Sequence, residues 1–534
     1  QWPEFLFDLP DVQYPDRLNC AVELLDKVVA RHGGDRACLL APDGTTWTYA
    51  ELMAKANQVA CYLVNAHGLV PGQRVLLRGP NNPWLVACWF GVLKAGGVVV
   101  TTMPLLRAGE LSTICEMAAI DLAICDHRFL DDLQAAQVPG LRVLAYGGDS
   151  AADITVCSAQ LPDRFEHVET AADDVALLAF TSGTTGRPKA TMHFHRDVLA
   201  NADTFSKHVL KPEPTDVFTG TPPLAFTFGL GGLVVFPLRV GASTLLIEKA
   251  SPDQLADLIA EHRVSICFTA PTAYRSMIAS GNASKLSTLR RAVSAGEHLP
   301  AATWHAFHDA TGVKLIDGIG ATEMLHIFIS ASDDDIEPGS TGRAVPGYVA
   351  AVVGEQGEPV PDGEPGRLAV KGPTGCRYLA DARQGVYVQN GWNITGDTFI
   401  RDRDGYFWYQ ARSDDMIVSA GYNIAGPEVE EALLAHPHVA ECAVIGVPDE
   451  VRGQLVKAYV VLTDGAAGDE ATIKDLQDFT KQQIAPYKYP RAIELVGALP
   501  RTNTGKLQRF RLRQLAQAQT DTLPDSQADA VSTP

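Results

Sequence analysis

The chain has 534 residues with 44 lysines and arginines against 63 aspartates and glutamates, a formal charge of −19 that argues against a nucleic-acid partner. Its length exceeds one ordinary core and its 46% apolar content can fill several, so two or more domains are expected. The ten cysteines include no CxxC pair, which points to a reduced compartment, read as cytoplasmic, and offers no zinc site. The most apolar stretch, 84–93, is too short to span a bilayer, and no basic segment leading into an apolar run opens the sequence, so neither a membrane partner nor a leader is expected.

In chain order, helix-like runs (49–66, 83–94) alternate with short strand-like ones (74–77, 97–101), each bounded by glycine or proline. A strand-like segment at 175–180 then empties into Thr181, Ser182, Gly183, Thr184, Thr185, Gly186, Arg187, Pro188 and Lys189. The glycines let the backbone turn tightly and aim N–H groups at an anion, the hydroxyls add donors, and Lys189 supplies a point charge for a polyphosphate. Arg187 and Pro188 separate the last glycine from the lysine, so this is not a Walker loop; a plain Ser/Thr/Gly linker is the alternative. A helix-like segment, 195–207, follows. His193 and His195 look like a metal pair, yet HFHRD opens this helix, and both are read as structural.

A strand at 241–247, a helix at 252–262 and a strand at 264–268 continue an α/β, doubly wound rhythm. From about Gly347 the pattern turns strand-rich, with turns at Gly354, Asp362-Gly363 and Asp404-Gly405 that suggest hairpins of a small β subdomain. A second domain begins after Arg412, where a strand-like 416–420 and a Gly421-Tyr422-Asn423 turn precede a helix at 427–434 with Pro427 at its start. Lys506 lies on a loop ahead of a helix at 507–516. The polar end of the chain is expected to be disordered.

The run LLAFTSGTTGRPK (177–189) resembles the signature of the adenylate-forming superfamily of acyl-CoA synthetases, luciferases and peptide-synthetase adenylation domains. Four further segments agree in the family's order: DGIGATE (317–323), ITGD (394–397), YQARSDDMIVSAGYNIAGPEVE (409–430) and PRTNTGKLQRF (500–510). Ala190 departs from the family's usual glycine. The resemblance implies an α/β fold: a large N-terminal domain of doubly wound sheets with a small β subdomain (1–413), a small mobile α+β lid (414–517) hinged at Asp414, and a disordered tail (518–534).

It also implies ATP, Mg2+ and coenzyme A. Residues 181–189 would cradle the triphosphate, Thr322 would bond the α-phosphate, and Glu323 is the hard oxygen ligand suited to magnesium. Asp397 and Arg412 would hold the ribose, and Gly296 and Glu297 would border the adenine, with Asp317, Gly318 and Ile319 on the same side; many relatives have a tyrosine in place of Ile319. Lys506 corresponds to the lid lysine that bridges the substrate carboxylate and the α-phosphate, while Gly421 and Tyr422 fall in the turn that passes the pantetheine thiol. Read alone, Asp397 is as well a turn aspartate and Lys506 a surface lysine. Arg509, Arg511 and Arg513 are either coenzyme phosphate contacts or a solvated face.

For the acid, the resemblance selects Phe226, Thr227, Phe228, Ala295, Gly320 and His326. Amino-acid-activating relatives place an aspartate after the phenylalanine to hold the ammonium, and Thr227 stands there instead. Phe226 and Phe228 suggest a flat aromatic slot, with core packing the alternative. GATEMLHIF is similar to benzoate-CoA ligases, and TMHFHRDVLANAD and TPPLAFTFGLGGLVVFPL to 2-aminobenzoate-CoA ligases. The expectation is an aryl-CoA ligase acting on a small aromatic carboxylate, as a monomer or homodimer. The alternatives are a stand-alone adenylation enzyme that loads a carrier protein, and a non-catalytic binding protein.

Overall fold

Local signals start and stop the helices. Thr48 and Glu51 exchange hydrogen bonds as a capping box for the helix Tyr49–His67, and Gly68 closes it at φ +66°. Asn82 caps Pro83–Lys94, whose proline takes the first turn and whose residues are all buried except the partly buried Trp84, so it serves as a core helix. The computed structural model describes residues 1–181, 188–413, 415–419, 422–449, 452–484, 486–501 and 506–521.

Among the described residues there are four sheets. In a six-stranded sheet the order is Arg142–Tyr146, Leu122–Asp126, Arg74–Arg78, Val98–Thr102, Val175–Thr181 and Lys189–Phe194; every pair is parallel except the last. A nine-stranded sheet has at its centre the parallel strands Ser243–Leu245, Val217–Gly220, Ile266–Thr269, Arg291–Ser294 and Leu315–Gly320. One hydrophobic core joins these two sheets to the antiparallel five-stranded sheet of 349–412, through residues such as Trp89, Phe218, Phe268, Leu368 and Phe399. The fourth sheet, Ile417–Ser419, Tyr422–Ile424, Val439–Asp449, Gly453–Leu462 and Ala492–Leu495, has its own core around Val429, Leu433, Val456 and Leu476. The fold is thus the expected one: a large α/β body with a β subdomain, followed by a smaller α+β unit.

Four local readings change. The strand Lys189–Phe194 intervenes before the helix, so His193 is a strand residue, and the helix His195–Asn201 continues as a π-helix to Leu210. Asp397 lies within the strand Trp392–Arg401 and not on a loop; Gly396 at φ +79° interrupts the pleat beside it. Tyr422 begins a strand. The last helix spans Arg509–Asp521, running past residue 517, because Leu512 and Ala516 bury one face against Ala443, Ile445 and Tyr459.

Candidate active site

The carboxyl ends of parallel strands from both large sheets converge, the position at which open α/β sheets bind ligands. Thr181 and Ser294 end two strands, and Asp317, paired in register with Ser294, is the last residue of the parallel pairing of a third, Leu315–Gly320. Thr181 and Lys189 face each other as the two ends of a hairpin. Ser182, Gly183, Thr184, Thr185 and Gly186, together with Asp414 and Gly421, lie outside the described residues. Ala190 is fully buried, so the methyl group that replaces the family's glycine is accommodated in the core.

Lys189 meets Glu323 here. Its Nζ is 3.7 Å from Glu323 Oε1, and the hydroxyl of Tyr378 bridges them from one side, accepting from Lys189 at 2.9 Å and donating to Glu323 at 2.5 Å. Thr322 and Glu323 sit on a 3-10 turn whose Thr322 carbonyl accepts from His193 Nε2 at 2.7 Å. His195 Nδ1 accepts from the Cys20 N–H at 3.0 Å. Both histidines therefore brace the scaffold. Leu325 follows the turn with φ +74°, a strained value for a branched residue, and this kink lets Glu323 face Lys189 while His326 faces the core.

On the nucleoside side, Gly296 adopts φ +94°, and a Cβ there would stand 3.9 Å from Lys506 Cε. The C-terminal unit thus delivers Lys506 to the loop that follows Ser294. Lys506 is exposed to the cleft but has protein on most sides; this burial pushes its ammonium down, Glu297 pulls it back up, Arg412 lowers it and Asp397 raises it. Asp397 and Arg412 pair in register on neighbouring strands with Nη1 3.2 Å from Oδ1, and burial raises the Asp397 carboxyl against that cation. Burial also raises Glu297, opposed by Arg501 at 3.2 Å. Asp317 is held well above the usual carboxylate range by burial, and its Oδ1 has no partner among the described residues. Ile319 packs on the core, and Gly318 lies against Ile327.

The residues chosen for the acid divide into two groups. His326 is buried in an aromatic cluster with ring centroids of Phe236, Phe228, Phe205 and Phe268 at 4.6, 5.6, 5.7 and 6.4 Å. Its Nε2 is 3.3 Å from the Phe228 carbonyl, its Nδ1 has no partner among the described residues, and burial pushes it down to about 3, so the ring is neutral. Gly231 is required beside it, since a Cβ would fall 2.4 Å from His326 Cδ2; a Cβ on Gly320 would fall 2.6 Å from the His326 carbonyl oxygen. Phe226 and Thr227 instead line a small cavity with Trp89, Leu177, Leu224 and Leu230. Phe226 thus lines this cavity, and Phe228 lies against His326. Ala295 is buried next to Gly296.

Sequence reasoning missed Tyr378, Tyr409 and Arg501. Tyr409 stacks on His298 with centroids 5.5 Å apart, and Arg501 links Glu297 to Glu441. Tyr409 and Arg501 lie within the motifs at 409–430 and 500–510 but were given no role there, and Tyr378 lies in none of the motifs, because each acts on a residue remote in sequence. Arg509 and Arg513 pair with Glu430 and Asp415 within their own unit and so are not a solvated face. One cluster of metal-binding groups occurs elsewhere among the described residues, at His436, His438 and Asp475. The His438 N–H donates to His436 Nδ1 at 3.1 Å, which leaves the ring proton on Nε2, 3.0 Å from Asp475; His436 then has no lone pair left for a cation.

Residues 25–378 match the AMP-binding enzyme family, and residues 428–506 match the AMP-binding enzyme C-terminal domain. The chain is 34% identical to benzoate-CoA ligase of Thauera aromatica over 94% of this chain and 97% of that protein. It superposes on the crystal structure of the anthranilate-CoA ligase AuaEII in complex with anthranoyl-AMP with TM-score 0.91 at 34% identity, covering 96% of this chain and all of that one. A benzoate-CoA ligase from Burkholderia xenovorans LB400 gives TM-score 0.85 at 32% identity, over 93% of this chain and all of the other. With one family spanning more than half of the chain and its C-terminal partner domain following in order, the protein belongs to the AMP-binding enzymes and is an acid–thiol ligase.

Proposed function

We propose that the protein is an ATP-dependent aryl-CoA ligase that activates 2-aminobenzoate or benzoate as the aryl-AMP and transfers the aroyl group to coenzyme A. The observation that carries this reading is the placement of Lys506 beside Gly296, within the electrostatic reach of Glu297, Asp397 and Arg412. That is where a cation is needed as a carboxylate oxygen attacks the α-phosphorus and pyrophosphate departs. Lys189 and residues 181–189 hold the β- and γ-phosphates, Thr322 the α-phosphate, Asp397 and Arg412 the ribose, and Asp317 offers its unpartnered oxygen to the adenine amino group. Glu323, a buried hard carboxylate beside Lys189, suits Mg2+, which when bound neutralises charge on the triphosphate.

In the second step the coenzyme A thiol gives up its proton, its sulfur attacks the aroyl carbonyl, and AMP leaves. In this reading residues 1–413 bind ATP and acid, residues 414–517 are the lid, Asp414 is the hinge, and Gly421 and Tyr422 border the thiol passage. The neutral His326 among four phenylalanines supports an aromatic acid, and Thr227 leaves an α-ammonium without a counter-ion. The test is mass spectrometry of products from Mg-ATP with benzoate, 2-aminobenzoate, 4-hydroxybenzoate, phenylacetate and hexanoate, with and without coenzyme A. A 2-aminobenzoyl-CoA or benzoyl-CoA product is expected. Aryl-AMP that never becomes a thioester would instead identify an enzyme that loads a carrier protein.

A further inference from the structure

We propose that Tyr378 is a positioning residue that keeps Lys189 and Glu323 apart, so that the β- and γ-phosphates and their cation enter between two charges that have not neutralised each other. The proposal rests on the nucleotide reading above and adds to it a residue from a segment with no phosphate-binding signature. Tyr378 is 189 residues from Lys189 and 55 from Glu323, yet its hydroxyl contacts both, at 2.9 and 2.5 Å.

An ammonium and a carboxylate in direct contact sit about 2.7–2.9 Å apart. Here the separation is 3.7 Å, and the hydroxyl bonds both groups from one side, taking one Lys189 proton and one Glu323 lone pair that a direct ion pair would use. The phenol is also fixed from behind. Its residue bridges to Thr191 on the strand that carries Lys189, the Leu379 N–H donates to the Ala190 carbonyl at 2.8 Å, and Gln384 Oε1 accepts from the Tyr378 N–H at 2.8 Å. Tyr387 packs edge-on against the ring at 5.9 Å, and Lys189 Nζ lies 4.8 Å from the ring centroid.

Without the hydroxyl, Lys189 and Glu323 close into a direct ion pair that the nucleotide must break. Loss of one hydrogen bond to a charged group typically costs about ten-fold or more. In Tyr378→Phe the KM for Mg-ATP in pyrophosphate exchange, and the Mg2+ concentration for half-maximal rate, should therefore each rise by about ten-fold. The KM for the aryl acid should stay the same and kcat should change less than KM. Calorimetric titration adds the decisive control: AMP lacks the β- and γ-phosphates, so its affinity should match wild type, which also shows that the variant is folded. Equal weakening of AMP and Mg-ATP, or no change in either, would overturn the proposal. Lys189→Ala and Glu323→Gln separate the two levels, since exchange that survives both substitutions overturns the nucleotide reading itself.

Discussion

Arg501 ties the C-terminal unit to the loop that follows Ser294: its Nη1 is 3.2 Å from Glu297 Oε1, while its Nη2 is 2.8 Å from Glu441 of its own unit. This pairing accompanies the approach of Lys506 to Gly296, which in the function proposed above is the arrangement for adenylation. Half-exposed ion pairs contribute about 0.2–1 kcal/mol. Arg501→Ala should slow ATP–pyrophosphate exchange by about two- to five-fold while leaving thioester formation from supplied aryl-AMP as fast or faster. Equal slowing of both half-reactions would show that Arg501 does more than hold one orientation.

Lys506→Ala tests the larger effect. Donors aimed at developing charge are typically worth ~10² to 10³ in rate, so adenylation should fall by that much. Aroyl transfer from synthetic aryl-AMP to coenzyme A should be largely spared. Rapid-quench assays of the two half-reactions read this asymmetry directly.

Asp317 gives a pH prediction with a definite sign. Burial raises its folded-state pKa above the unfolded value, so the native state holds the proton longer. The stability it contributes is complete below the unfolded pKa and lost as pH rises through the folded one. Asp317→Asn should therefore melt higher than wild type at neutral pH, with the difference shrinking toward acid pH. Because Asn retains an acceptor for the adenine amino group, the KM for ATP should move less than about three-fold. Thermal melts of both proteins across pH, with ATP kinetics, check both parts.

Histidines act in the opposite direction. Burial pushes His195 and His298 down to about 4 and His326 to about 3; Asp174 partly opposes the shift at His195 and the Phe228 carbonyl at His326, while Arg509 adds to it at His298. Their folded pKa values lie below the unfolded one, so their contribution is complete above about pH 6.5 and lost as pH falls toward 4. Each proton taken up on unfolding costs about 1.4 kcal/mol per pH unit in that window. Urea midpoints measured from pH 8 to pH 4.5 should fall steadily below 6.5, and a flat profile to pH 5 would contradict the burial of these rings.

His326→Ala should raise the KM for the aromatic acid by about ten-fold and leave that for ATP unchanged, since the ring lies in the Phe205, Phe228, Phe236 and Phe268 cluster and not beside Lys189. Steady-state kinetics in both substrates distinguish this from general destabilisation, which would affect both constants.

The sequence alone determined what local chemistry determines. The helix Pro83–Lys94 was legible because asparagine, proline and an unbroken apolar run state its start and its burial, and the order of five motifs settled the family and the α/β fold. Lys189, Glu323, Asp397, Arg412 and Lys506 could each be named, but read alone Asp397 was also a turn aspartate and Lys506 a surface lysine. Only the tertiary structure decided their neighbours. It set Asp397 in a strand opposite Arg412, put Phe226 on a cavity and Phe228 against His326, spent Arg509 and Arg513 on Glu430 and Asp415, and placed Tyr378 against both Lys189 and Glu323. The physical reason is that capping, periodicity and turn chemistry act over a few residues, whereas these contacts join strands and loops that only packing of separate sheets brings together.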